Sequence, residues 1–396
     1  MKASLRYVLR LLAFAAGAVL ILVTTLYLFR SEVLRLIGVS IAGGTPGTVQ
    51  LAVPDRYGAS IFASGLDGPR FMAVGPAGPW EGVLFVAERG RDRVVALTDA
   101  DQDRIADRTI EVAAGLGHAH ALAFAADGTL LVAGETAVTR LELRDSVSAT
   151  ASPVARRSTL IAGIPGGGAH TTRTIVVGPD GRIFLSVGSS CDVCHETSEA
   201  RAAILTADAD GSGLRVLMRG LRNAVGLAFA PDGSLWATNN GRDWLGDDTP
   251  PETIYRVVDG GDAGWPRCHA GTIVDPEFGD DPDARTGRVR CDGVVAPAAL
   301  FGAHMAPLGL AFWEGRAVVA FHGSWNRSVK VGYKAVWQPW GPDGPTAPAE
   351  DFSTGWLRPN GDVSGRPTGL IVGADGALYV SDDRAGLIYR IAAAAP

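Results

Sequence analysis

GLAFAPDGSLWATNN, residues 226–240, consists of an apolar run, an Asp-Gly turn and a second β-rich run. Alternating apolar residues on either side of a turn glycine are the signature of a β-hairpin. The pattern recurs as MAVGPAGPWEGVLFVAE (72–88), ALAFAADGTLLVAGE (121–135), TIVVGPDGRIFLSVG (174–188), GLAFWEGRAVVAFHG (309–323) and GLIVGADGALYVSDD (369–383). The turn glycines of the six copies are Gly82, Gly128, Gly181, Gly233, Gly315 and Gly376, spaced 46 to 82 residues apart. A lone hairpin cannot bury its apolar faces, and a β unit repeated at this period builds blades around an axis. Six copies predict an all-β, six-bladed β-propeller spanning residues 48–396 as one closed unit.

Composition agrees with that reading. The chain of 396 residues contains 51 glycines, and its net charge is −6 with no basic run, which excludes a nucleic-acid partner. The amino terminus is of another kind. Lys2, Arg6 and Arg10 precede an uncharged, mostly apolar stretch from Leu11 to Phe29, closed by Arg30. A run of this length suits a membrane span, with its basic end in the cytoplasm. Residues 1–30 are therefore expected to be a signal anchor and 31–47 a tether. The propeller would then sit at the periplasmic face of an inner membrane. No small-residue cleavage site follows the run at Tyr27–Ser31; cleavage near Ile41-Ala42-Gly43 is the alternative.

Four cysteines fit an oxidising compartment. Cys268 and Cys291 bracket an insertion between the fourth and fifth repeats, which a bridge would pin. Cys191-Asp192-Val193-Cys194-His195 spells the c-type haem attachment string. Haem would also need a helical envelope and a distal ligand. The motif instead lies in a loop after a strand, so a structural disulfide is the expectation.

In a propeller, the residues entering each innermost strand and those leaving the next strand ring one mouth of the channel. The entries are Arg70, His118 and His120, His170 with Arg173, Arg222 with Asn223, His304, and Arg366. The exits are Glu88 and Arg89, Glu135, Ser189 to Cys191, Asn240 to Asp243, Ser324 to Arg327, and Asp382 to Arg384. Arginines and histidines converging on one rim would suit a polyanionic ligand, because guanidinium binds carboxylates bidentately. The oxygen-rich stretch Asn239 to Asp248 is a second candidate, for a hard cation such as calcium.

GLRNAVGLAFAPDG, NNGRDWLGDD, DAGWPRC, FHGSWNRSVKVGYK and GRPTGLIVGADGALYVSDDRAG resemble the soluble quinoprotein sugar dehydrogenases, nearest to the sorbosone dehydrogenase-like branch. The resemblance covers roughly residues 55–392. It implies pyrroloquinoline quinone (PQQ) and Ca2+ in the axial mouth, with the quinone supplying the redox chemistry. It further implies that His170 is the general base and that Arg222 and Asn223 contact the cofactor. Arg366 matches an arginine gripping the cofactor's carboxylates, Arg327 substitutes for a family lysine, and His120 completes the cofactor set. Gly241 and Arg242 match the residues whose carbonyls bind calcium. Ala169 replaces an Asp found before the base elsewhere, and a glutamine near the substrate is missing.

These observations predict PQQ-dependent oxidation of an aldose or sugar aldehyde, of glucose or sorbosone type, with electrons leaving to a respiratory quinone or cytochrome. Two alternatives are a calcium-dependent propeller lactonase and a non-catalytic propeller scaffold. A lactonase would need acidic and amide side chains around a metal, and a scaffold would be expected to have lost His170 or Arg222.

Overall fold

The computed structural model describes residues 51–145 and 152–394. The expected anchor and tether, residues 1–47, lie outside the described residues. Among the described residues, no helix is long and apolar enough to cross a membrane.

Six antiparallel sheets follow one another along the chain, each running from its innermost strand outward. The innermost strands are Pro69–Val74, Ala121–Phe124, Arg173–Val177, Leu227–Phe229, Pro307–Trp313 and Pro367–Val372. Each packs against the next, and the sixth against the first, which closes a ring of six blades. All six quoted hairpins are the two inner strands of a blade. The six turn glycines all have positive φ, between 73° and 82°, where a Cβ would be strained.

The ring is sewn shut by its own beginning. Tyr57–Ala63 forms the outermost strand of the sixth blade, paired antiparallel to Leu387–Ala393. Blade 1 therefore opens at Pro69, after the chain has already supplied an edge to blade 6.

There is one apolar core per blade interface. Six separate clusters of buried side chains lie between successive blades, such as Phe85, Val94 and Leu130 between blades 1 and 2, or Trp236, Leu310 and Val319 between blades 4 and 5. The second strand of each blade is covered on both faces, as in Leu84–Glu88, where all five residues are buried. Outermost strands such as Val154–Ile161 are largely exposed and carry polar residues.

Near the axis the blades approach too closely for side chains. A Cβ on Gly226 would lie 2.2 Å from the Leu308 carbonyl oxygen, and one on Gly369 would lie 2.6 Å from that of Arg70. Hydroxyls stitch the same seams: Thr238 Oγ1 donates to the Leu308 carbonyl and Ser381 Oγ to that of Arg70.

Both disulfides expected from the sequence are formed, Cys191–Cys194 and Cys268–Cys291. His195 of the haem-like string is exposed and hydrogen-bonds Asp281, 3.0 Å away. The insertion after blade 4's third strand reaches back to blade 3, where Gly261–Asp262 pairs with Arg215–Arg219 in parallel. It also holds a short ribbon, Cys268–His269 with Ile273–Val274.

Candidate active site at the propeller mouth

Chain segments from four blades, the first, third, fourth and fifth, converge on one cavity of about 500 Å³. Its walls include Arg70, His170, Arg222, Asn223, Gly241 and His322. Blade entries 3, 4 and 5 supply His170, Arg222 with Asn223, and His304; the exits of blades 4 and 5 supply Asn240, Gly241, Asp243 and Trp244, and His322, Trp325 and Asn326. These are the stretches that the entry and exit rule brings to a single mouth.

His170 precedes the innermost strand of blade 3. Its Nδ1 lies 3.1 Å from the Ser189 carbonyl oxygen and 2.9 Å from Ser189 Oγ. Ser189 Oγ itself donates to the Cys191 carbonyl at 2.6 Å, so its one proton is committed. Both neighbours of Nδ1 therefore act as acceptors, which places the ring proton on Nδ1 and leaves Nε2 as a bare lone pair. Burial, reinforced by the Arg222 charge, holds the His170 pKa down to about 3, so the imidazole is neutral at ordinary pH. Close packing here requires Gly188, where a Cβ would fall 2.5 Å from the His170 Cβ and 2.7 Å from Asn223 Oδ1. Two buried arginines fix the preceding loop: Arg173 donates to the His170 and Thr172 carbonyls, and Arg201 to those of Gly166 and Gly167.

Arg222 is compensated on all sides. Its Nε donates to the Asp192 carbonyl (2.9 Å) and Nη1 to the Gly241 carbonyl (2.6 Å). Nη2 bridges the carboxylates of Asp192 (2.7 Å) and Asp243 (2.8 Å). Arg70 is likewise paired with Asp383, which also accepts His322 Nε2 at 2.9 Å. The rim thus carries counter-acids drawn from other blades, where the sequence had suggested an excess of positive charge. Burial brings the His322 pKa down to about 4 against the opposing pull of Asp383.

Glu252 was not singled out from the sequence. It is fully buried against the cavity and accepts the Gly241 N–H at 2.7 Å and the Ala306 N–H at 3.3 Å. Burial pushes its carboxyl up to about 7. Asp192, His322 and Trp244 also line the cavity; each lies in a stretch quoted above, but none was assigned a role there. Trp244 and Trp325 are 69% and 65% exposed there and pack edge-to-face with ring centroids 5.3 Å apart. Asn326 Nδ2 donates to Asp243, while its Oδ1 is buried without a hydrogen-bond partner.

The structure places the remaining expected residues around this cavity instead of on its walls. His120 is completely buried behind Arg70, whose Nε donates to its Nδ1 at 3.2 Å. Arg366 is turned onto the backbone of the HGSWN segment, donating to the carbonyls of His322 (2.9 Å) and Gly323 (2.6 Å). Arg327 bonds the Asp247 carbonyl and Asp248. Gly241 lines the cavity, whereas the Arg242 side chain is buried away from it against Asp275. Burial alone would raise the Asp275 carboxyl, but hydrogen bonds from His269 and Arg242 outweigh it and hold it far below the usual range. His118 is exposed beside Glu135.

The family model described as TrAA12-like matches residues 51–252 and 269–394, which is most of the chain. The chain belongs to the TrAA12-like family. It is 27% identical over 418 aligned positions to a pyrroloquinoline quinone-dependent pyranose dehydrogenase of Coprinopsis cinerea, covering 89% of this chain and 56% of that one. It is also 28% identical over 237 residues to an uncharacterized protein of Borreliella burgdorferi, covering 56% of this chain and 60% of that one. This TrAA12-like chain thus spans somewhat over half the length of the curated relatives it matches. The holo PQQ domain of the Coprinopsis cinerea pyranose dehydrogenase superposes with a TM-score of 0.72 at 26% identity, over 88% of this chain and 98% of that domain. A Trichoderma reesei enzyme of family AA12 superposes with a TM-score of 0.74 at 23% identity, over 89% and 100%, and shows the shared fold.

Proposed function

We propose that this TrAA12-like protein is a PQQ-dependent oxidoreductase of sugars, with an aldose or sugar aldehyde as the hydride donor. The observation that carries the reading is the neutral His170 with a bare Nε2 in the same cavity as Arg222 and Asn223. The relatives named for PQQ support it by likeness. The cavity's residues also suit the group. PQQ is a planar polycarboxylate, and Arg70, Arg222 and Asn223 offer donors around one space, beside the partnerless Asn326 Oδ1.

When bound, PQQ would supply a two-electron acceptor. The chain's own part is proton transfer and orientation. His170 Nε2 takes the proton of the sugar hydroxyl as its carbon gives up hydride, and the Ser189 contacts keep the ring in the competent tautomer. Arg222 and Asn223 hold the carboxylated face. Trp244 and Trp325 offer apolar ring faces to a pyranose at the entrance. Ca2+ at the Gly241 and Arg242 carbonyls belongs to the same reading. Arg366, Arg327 and His120 then act from behind the wall, by fixing the segments that touch the cofactor.

The wider setting is part of the proposal: an N-terminal anchor at residues 11–29, a site on the periplasmic face, and electron transfer to a respiratory quinone or cytochrome. Two disulfides suit an oxidising compartment.

The test is dye reduction by the purified full chain with Ca2+, PQQ and a panel of aldoses. His170→Ala should lower kcat by about 10²- to 10⁴-fold while PQQ binding is retained. A folded chain that does not bind PQQ overturns the reading, and lactone hydrolysis with metal alone would favour the lactonase.

A further inference from the structure

The four-residue ring closed by the Cys191–Cys194 disulfide borders both halves of the site. On one side, the preceding residues hold the base. The Ser190 carbonyl accepts Ala169 N–H at 2.7 Å and the Ser189 carbonyl accepts His170 N–H at 3.3 Å. On the other side, Asp192 lies inside the ring and grips Arg222 twice, with its carbonyl on Nε and its carboxylate on Nη2. The same carboxylate oxygen accepts the Asp243 N–H at 2.8 Å, and the Asp192 carbonyl also accepts Trp265 Nε1 at 3.3 Å. Downstream, Glu196 accepts both the N–H and the hydroxyl of Ser190, so the loop is anchored at its foot.

A carboxylate that is 28% exposed, on an unrestrained loop, would hold a guanidinium weakly, because ordering both chains offsets most of the attraction. Engaging one arginine through both main chain and side chain needs the backbone of Asp192 held in one conformation. A covalent bridge across three residues of separation imposes that restraint by removing the loop's alternatives.

We propose that the disulfide-closed loop is the positioning device of the site and that Asp192 is the positioning residue for Arg222. The identity of the ligand rests on the PQQ reading, whereas the restraint on Arg222 rests on geometry alone. Positioning and charge make opposite predictions. If Asp192 acted only through its charge, removing it would leave binding of the anionic quinone unchanged or tighter. If it orients Arg222, losing the acceptor must weaken binding, and an isosteric amide must rescue it.

The experiment titrates PQQ into the full chain by absorbance and follows the Arg222 Nε–H by NMR hydrogen exchange. Asp192→Ala should raise the PQQ Kd at least tenfold, and Asp192→Asn should restore it to within about threefold. Cys191→Ser/Cys194→Ser, which changes no charge, should match Asp192→Ala and lose at least tenfold of the exchange protection at Arg222 Nε–H. Wild-type or tighter PQQ binding by Asp192→Ala overturns the proposal, as does unchanged Arg222 protection in the double serine variant. If that variant does not fold, the contrast between alanine and asparagine at position 192 decides. If the wild-type chain binds no PQQ, the functional reading fails, and the Arg222 exchange still tests the loop.

Discussion

At the residue scale the site works by committing protons in advance. Ser189 offers His170 Nδ1 only acceptors, so the tautomer is set before any ligand arrives. Burial and the neighbouring Arg222 then keep the ring from charging, with a pKa of about 3. In the cofactor-free chain, ¹⁵N NMR should show His170 neutral and Nδ1-protonated down to pH 5, where a free imidazole with pKa near 6.5 would be mostly charged. Arg222→Lys should weaken PQQ binding about tenfold or more in an absorbance titration, since an ammonium cannot span the Asp192, Asp243 and Gly241 acceptors at once. His170, Arg222, Asn223 and Gly241 were legible in the sequence because each flanks an inner strand of a repeat. Asp243 and Asp383 lie in the exit stretches read from the sequence, but their pairing with Arg222 and Arg70 was not legible, and neither were Asp192 and Glu252. Asp192 and Asp383 reach their arginines across blade boundaries, and Glu252 lies on a third strand that carries no motif; pairing of this kind depends on the register of strands far apart in sequence.

At the scale of elements, the hairpins were readable because their second strands are mostly apolar and buried and their turns need a positive φ. The insertion at 261–296 was not, since its strand pairing runs to blade 3 and its ion pairs to Arg242 carry no local signal. The Cys268–Cys291 bridge staples the insertion internally, and the buried Arg242–Asp275–His269 cluster ties it to blade 4. Cys268→Ser/Cys291→Ser should lower stability by about 3 kcal/mol for a loop of this size, measured by denaturant unfolding. The axial glycines are a second element-scale device. Gly226→Ala places a methyl 2.2 Å from a neighbouring blade's carbonyl and should cost about 1–3 kcal/mol through forced separation of blades 4 and 5.

Across the whole molecule, buried titratable groups act in opposite directions. His170 and His322 titrate near 3 and 4 when folded, below the free value, so their contribution is full above pH 6.5 and is lost as pH falls toward 4. Glu252 and Asp382 are raised by burial to about 7 and about 6, so theirs is full below pH 4 and is lost as pH rises through those values. The two pairs largely cancel between pH 5 and 7. Glu252→Gln removes one side of that balance, so its melting temperature should drop more between pH 7 and pH 5 than that of the unaltered chain.

The seam between Tyr57–Ala63 and Leu387–Ala393 has a consequence for how the protein is made. A nascent chain carries Tyr57–Ala63 unpaired until Leu387–Ala393, on the far side of all six blades in sequence, has emerged. Wall residues from blades 1, 3, 4 and 5 reach their final spacing when that pairing closes the ring, so the axial chamber is expected to take up a small molecule only after closure.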